Sequence, residues 1–218
     1  SKDYKGSGFL KLDVGTKVNT NALSDADFRL QTGMNNFGFT KKSIPTNALK
    51  QFGYSSLQMK SYTPIANSFG VSGGKSFNIG DEGKLSFFGT ASFSNDFSSK
   101  NNGTAKSSVN GNGIANKNFE KYTEQKYETN TTGMANIGYK INNNNKLSFN
   151  TLYINTSTQS KEEYFGYIVD IANDGNGLIR RFNYEKNSLW INQILGDHKI
   201  GDRSKLNWGV SYNIIDGS

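Results

Sequence analysis

The feature that most constrains this chain is strict two-residue alternation. Leu206, Trp208, Val210, Tyr212 and Ile214 fall on one side of an extended strand; Lys205, Asn207, Gly209, Ser211 and Asn213 fall on the other. Successive side chains of a strand point to opposite faces, so one face is apolar and its back is polar. The same pattern recurs along the 218 residues. Leu10, Leu12, Val14 and Val18 alternate with Lys11, Asp13, Gly15 and Lys17. Leu85, Phe87, Ala91 and Phe93 alternate with Ser86, Thr90, Ser92 and Ser94, and Phe88 alone breaks the order. Ala135, Ile137, Tyr139 and Ile141 share a face, as do Leu147, Phe149 and Tyr153.

Hydrophobic residues make up 34 % of the chain, below the roughly 45–50 % of packed globular domains. A sheet with one face in hydrocarbon and one in water tolerates that composition, because only alternate residues must be apolar. The chain has no Cys, which excludes disulfides and thiolate chemistry. No stretch approaches the roughly 20 apolar residues of a membrane helix. The net charge of +7 is spread singly rather than clustered, which argues against a nucleic-acid surface. Neither an opening Met nor a signal peptide is present, so a processed protein or a fragment is expected.

Seven strands are predicted, at about 9–20, 68–79, 84–97, 122–141, 146–156, 178–195 and from 205 onward. In the sixth, Leu189, Ile191 and Leu195 compete with Trp190 and Ile194 for the apolar face. Short turns are expected at about 80–83, 142–145 and 196–204. Long polar loops are expected at about 21–67, 98–120 and 157–177, the first holding a short helix near 43–53 announced by Ser43, Pro45 and Gly53. Short turns alternating with long loops are a mark of an up-and-down transmembrane barrel, with short turns on the periplasmic side. The expected fold is therefore all-β, an antiparallel transmembrane β-barrel wall forming a single partial domain over 1–218.

Candidate chemistry is sparse. Gly70-Val71-Ser72-Gly73-Gly74-Lys75-Ser76 is one residue short of a phosphate loop and lacks a helix after it. His198 is the only histidine, and is expected to be solvated in a turn. Asp170, Asn173 and Asp174 miss the alternation of a calcium loop at Ala172. Glu162 and Glu163 are adjacent, so in a strand they would point to opposite faces and form no acid–base pair. No catalytic, cofactor-binding or metal-ligating residue is predicted, and the chain is not read as an enzyme. Lys11, Asp13 and Lys17 are the candidates for a lumen-facing surface, because a lysine facing lipid at mid-membrane costs about 2–4 kcal/mol.

Three stretches carry a family resemblance. Lys2-Asp3-Tyr4-Lys5-Gly6 followed by Phe9-Leu10-Lys11-Leu12-Asp13-Val14-Gly15 resembles the first barrel strand of TonB-dependent outer-membrane receptors. Phe69 to Phe77 followed by Lys84 to Asn95 is similar to their next hairpin, and Tyr184 to Gln193 with Leu206 to Tyr212 to later strands. The resemblance implies the N-terminal part of a barrel of about twenty-two strands in the outer membrane of a Gram-negative bacterium. It implies nutrient import through the lumen past a plug domain expected before Ser1, driven by a TonB-type energy-coupling protein, with outer-membrane lipid and possible surface-lipoprotein partners. A passive porin or secretion-machine barrel, and a soluble extracellular adhesion or glycan-binding domain, share the same strand pattern.

Overall fold

The computed structural model describes residues 7–31, 37–39, 58–106, 111–112, 116–201 and 203–217. The elements run β1 (Phe9–Val18), α1 (Thr20–Leu23), β2 (Arg29–Gln31), β3 (Met59–Ser61), β4 (Ile65–Ile79), β5 (Gly83–Lys106), β6 (Lys117–Lys140), β7 (Asn145–Ile168), β8 (Ala172–Ile200) and β9 (Ser204–Gly217). Seven of them form one antiparallel sheet in the order β1-β4-β5-β6-β7-β8-β9, and β2 pairs only with β3. Apart from the β2–β3 insertion, each strand pairs with the next in sequence, so the topology is up-and-down.

The sheet is open, with β1 and β9 at its two edges. Every pairing is antiparallel and the strand count is odd, so β1 and β9 run in the same direction. An antiparallel seam between these two edges is therefore impossible.

The strands are longer than the alternation predicts. Residues 98–106 and 117–120 belong to β5 and β6, and 157–168 and 172–177 belong to β7 and β8; all were expected as loop. Only residues 169–171 link β7 to β8, in place of the expected long segment, and the 196–204 turn contracts to 201–203. The reason is that the period-two signal needs an apolar face. Where both faces are polar the backbone ladder continues unannounced, as in Gln125↔Lys161 and Glu162↔Arg181. The helix expected near 43–53 lies outside the described residues. A different short helix, α1, ends the first strand early: the Asn19 side chain accepts bonds from the Asn21 and Ala22 amides and caps it.

Register assigns the faces. One row runs Val71↔Ala91↔Gly133↔Tyr153↔Trp190↔Ile214, and another runs Lys75↔Phe87↔Ile137↔Phe149↔Ile194↔Val210. These rows, with Leu10, Leu12 and Val14 of β1, make an apolar band on one face. It lies toward the end where residues 80–82, 141–144 and 201–203 turn the chain. The band is uncovered: Val14 is 90 % exposed, Leu12 71 % and Tyr212 67 %.

Farther along the same face the rows become polar, and described residues between β1 and β4, within 19–31 and 37–39, lie over them as a strap. Phe28 packs edge-on against Phe97 of β5 at 5.7 Å, and Phe97 lies 4.7 Å from Tyr127 of β6. With Ala22, Leu30 and Ala66 they form the buried core. Burying each of the larger side chains contributes roughly 1.5–3 kcal/mol. The wall holds the strap by its backbone. Gln159 donates to the Gln31 carbonyl (2.8 Å), and fully buried Asn155 donates to the Gly38 carbonyl (3.0 Å). Gln125 donates to the Asp27 carbonyl (2.8 Å) and accepts from the Arg29 amide (3.2 Å).

Candidate functional site on the polar face

The back of the band carries Lys11, Asp13 and Lys17, all on one face of β1. Lys11 and Asp13, two residues apart, form an ion pair of 2.6 Å. Lys17 reaches across Ala66 of β4 to Asp96 of β5, also at 2.6 Å. The three residues are not one cluster. Lys17 and Asp96 line an open groove of about 480 Å³ with Glu128, Asn130, Thr156 and Thr158. Lys11 and Asp13 lie outside it, toward the short-turn end. Exposed pairs of this kind contribute about 0–1 kcal/mol, so they are available to exchange partners.

The polar face is not uniform. It carries Met134↔Leu152↔Ile191 across β6, β7 and β8 and, one row on, Ile154↔Leu189↔Ile215 across β7, β8 and β9. This settles the competition in the sixth predicted strand. Leu189, Ile191 and Leu195 lie on the polar face, and Trp190 and Ile194 join the exposed band. Phe88 also lies on the polar face, 6.3 Å from the ring of Phe9.

A second group of side chains lies on this face near the far end of the long strands; of its members Lys100, Gly103, Phe119, Glu162 and Tyr164 were expected in loops, whereas Tyr122, Glu124, Lys126 and Arg181 fall in predicted strands. Glu124 pairs with Lys100 at 2.8 Å and Lys126 at 3.7 Å. Burial pushes the Glu124 carboxyl up, but the Lys100 hydrogen bond and the two ammonium charges outweigh it and hold it below its ordinary value. Tyr164 donates to Glu162 at 2.8 Å, its ring lies 4.9 Å from Tyr122, and the Arg181 guanidinium stacks over it at 5.3 Å. A bulge at Glu120 shifts the β6–β7 register between Phe119 and Lys121. The shift turns Phe119 onto the same face, 5.3 Å from Tyr164. Gly103 stands opposite Tyr122, where an added Cβ would sit 3.0 Å from the ring. Burial raises the Tyr122 hydroxyl well above its ordinary pKa, and the neighbouring Glu124 and Glu162 charges add to this. The bulge-guided aromatic cluster had no sequence signal beyond the isolated Phe and Tyr residues.

No family model, no curated protein and no solved structure matches this chain.

The remaining candidates resolve into structure. Residues 70–76 lie wholly inside β4, extended throughout, so their amides are committed to strand pairing. Asp174, within β8, accepts from the Asn176 amide two residues on. Glu162 and Glu163 do point to opposite faces: Glu163 pairs with Arg180 at 2.6 Å and Lys161 at 3.5 Å, apart from the Glu162–Tyr164 pair. His198 is not a free turn residue. It lies in β8, where Nε2 accepts from the Trp208 indole (3.0 Å), so Nδ1 carries the proton toward Asn145 Oδ1 (2.8 Å). Chemically the polar face offers hydroxyls, amides and exchangeable ion pairs, which suits contact with water, polar solutes or a polar protein surface.

Proposed function

We propose that this chain forms part of the wall of an outer-membrane transport barrel of the TonB-dependent receptor type, importing a nutrient ligand across the outer membrane. The observation that carries the reading is the uncovered apolar band opposite a polar face. Phe69 to Phe77 on β4, Leu85 to Phe93 on β5 and Leu206 to Ile214 on β9 each span eight residue steps of that band. At about 3.3 Å per step and a tilt near 45°, this covers roughly 19 Å, most of the ~25 Å apolar belt of such walls.

The polar groups within the band support the same reading. Lys75 is its one charged residue among the described positions. It lies in β4 five residues before residue 80, and its ammonium lies 5.0 Å from the centre of the ring of Phe77, two residues nearer the 80–82 turn. This is a place from which a lysine reaches the membrane surface. Thr151 donates to Asn192 (2.9 Å) and accepts from the Trp190 indole (2.9 Å), so these groups find partners without water.

In this reading the short turns face the periplasm and the long strand ends project outward. Lys11, Asp13 and Lys17 face the lumen, where they meet water or a plug supplied by another part of the protein. The protein acts by binding and passage, with a TonB-type coupling protein and a surface lipoprotein as its proposed partners. Membrane fractionation tests this directly. Recovery in outer membranes with extraction only by detergent is expected, whereas a monodisperse monomer in plain buffer would overturn it.

A further inference from the structure

The strap carries an observation that the wall reading does not use. Phe37-Gly38-Phe39 lies at the upper rim of the apolar band. The Phe37 ring contacts Phe93 at 5.2 Å, and Phe93 contacts Phe69 at the same distance. Phe93 is buried, but Phe37 and Phe39 remain 52 % and 43 % exposed. Between them Gly38 presses onto the wall with φ +75°, and any Cβ there would collide with the Thr129 and Ser157 hydroxyls. Its carbonyl is taken by Asn155.

The strap is thus pinned by its backbone and presents aromatic side chains outward, continuous with the uncovered band. Carbonyls of Asp27, Gln31 and Gly38 are all satisfied by wall side chains. That is the condition for backbone to sit at an apolar boundary, where unpaired carbonyls are costly. Aromatic residues concentrate at such boundaries.

We infer that the strap is a lipid anchor: Phe37 and Phe39 insert at the outer headgroup–acyl boundary and fix the height at which the wall sits. This rests on the proposed membrane wall, and its occupant is lipid rather than protein because the strap's exposed rings extend the band itself.

The experiment uses the protein reconstituted in vesicles, with Trp190 and Trp208 changed to Phe and a single reporter, Phe37→Trp or Phe39→Trp. Lipids brominated near the headgroup should quench either reporter more than lipids brominated at the chain end, and aqueous iodide should quench it weakly. Adding Gly38→Val should free the strap and exchange lipid quenching for iodide quenching. A reporter quenched by iodide alone, or by neither agent as under a second protein copy, would overturn the anchor. The parent protein separates the two ideas: lipid quenching of Trp190 and Trp208 with none at position 37 or 39 sinks the anchor and leaves the wall intact.

Discussion

The apolar face of β5, β6 and β7 has two halves that obey different rules. Toward the short turns it displays Phe87, Ile137 and Phe149 with nothing over them among the described residues. Toward the far end the same face presents Ser99, Gln125 and Gln159, and there a polypeptide strap covers it. The protein covers the polar half and leaves the apolar half bare, the reverse of a water-soluble sheet. Polar side chains can hold a second backbone layer by hydrogen bonds, whereas the bare apolar half is the part that the proposed function assigns to hydrocarbon.

The comparison breaks most sharply at Phe97, the centre of the strap-covered half. Phe97→Ala removes the ring between Phe28 and Tyr127 and should cost about 3–5 kcal/mol, read by denaturant unfolding together with faster hydrogen exchange across 22–31. In the bare half, Val210→Lys should cost about 2–4 kcal/mol in a bilayer, while Ser211→Lys on the opposite face should cost close to nothing; unfolding from vesicles measures both. Equal costs for the pair would erase the distinction between the faces.

Smaller effects sharpen the upper half. Gln125→Ala removes three bonds to the strap, including one to Asp25 at 2.7 Å, and should cost about 1–3 kcal/mol. Asp25 adds a pH signature. Burial pushes its carboxyl up, but bonds from Gln125, Ser99 and the Asp27 amide outweigh this and hold it below the ordinary value. Its contribution is therefore complete above the unfolded carboxylate pKa and is lost as pH falls through the lowered folded value. Protection of the amides over 20–31, taken relative to their intrinsic exchange rate at each pH, should fall on acidification, and Asp25→Asn should abolish that dependence. The smallest effect is expected at Lys17→Ala, under about 1 kcal/mol, because its pair with Asp96 is exposed.

The bare half was legible in the sequence and the covered half was not. Leu206, Trp208, Val210, Tyr212 and Ile214 announce their face because alternate residues must be apolar. Residues 98–106 and 157–168 look like loop because Ser99, Lys161 and their neighbours are polar on both faces. The strap was hidden for a related reason: Gln125, Asn155 and Gln159 hold it by side-chain bonds to backbone, which leave no periodic trace. Strand β8 was ambiguous because Leu189 and Ile191 place apolar side chains on the polar face as well. Of the candidate surface, Lys17 shares a strand face with Lys11 and Asp13, as two-residue spacing dictates, but its partner Asp96 lies 79 positions away and nothing local pairs them.

Both tryptophans of the chain sit on the bare half, so native fluorescence tests the central claim. In vesicles of brominated lipid, Trp190 and Trp208 should both lose emission relative to unbrominated vesicles, and aqueous iodide should leave them nearly untouched. Emission indifferent to bromine and quenched by iodide would place that face in water and contradict the account.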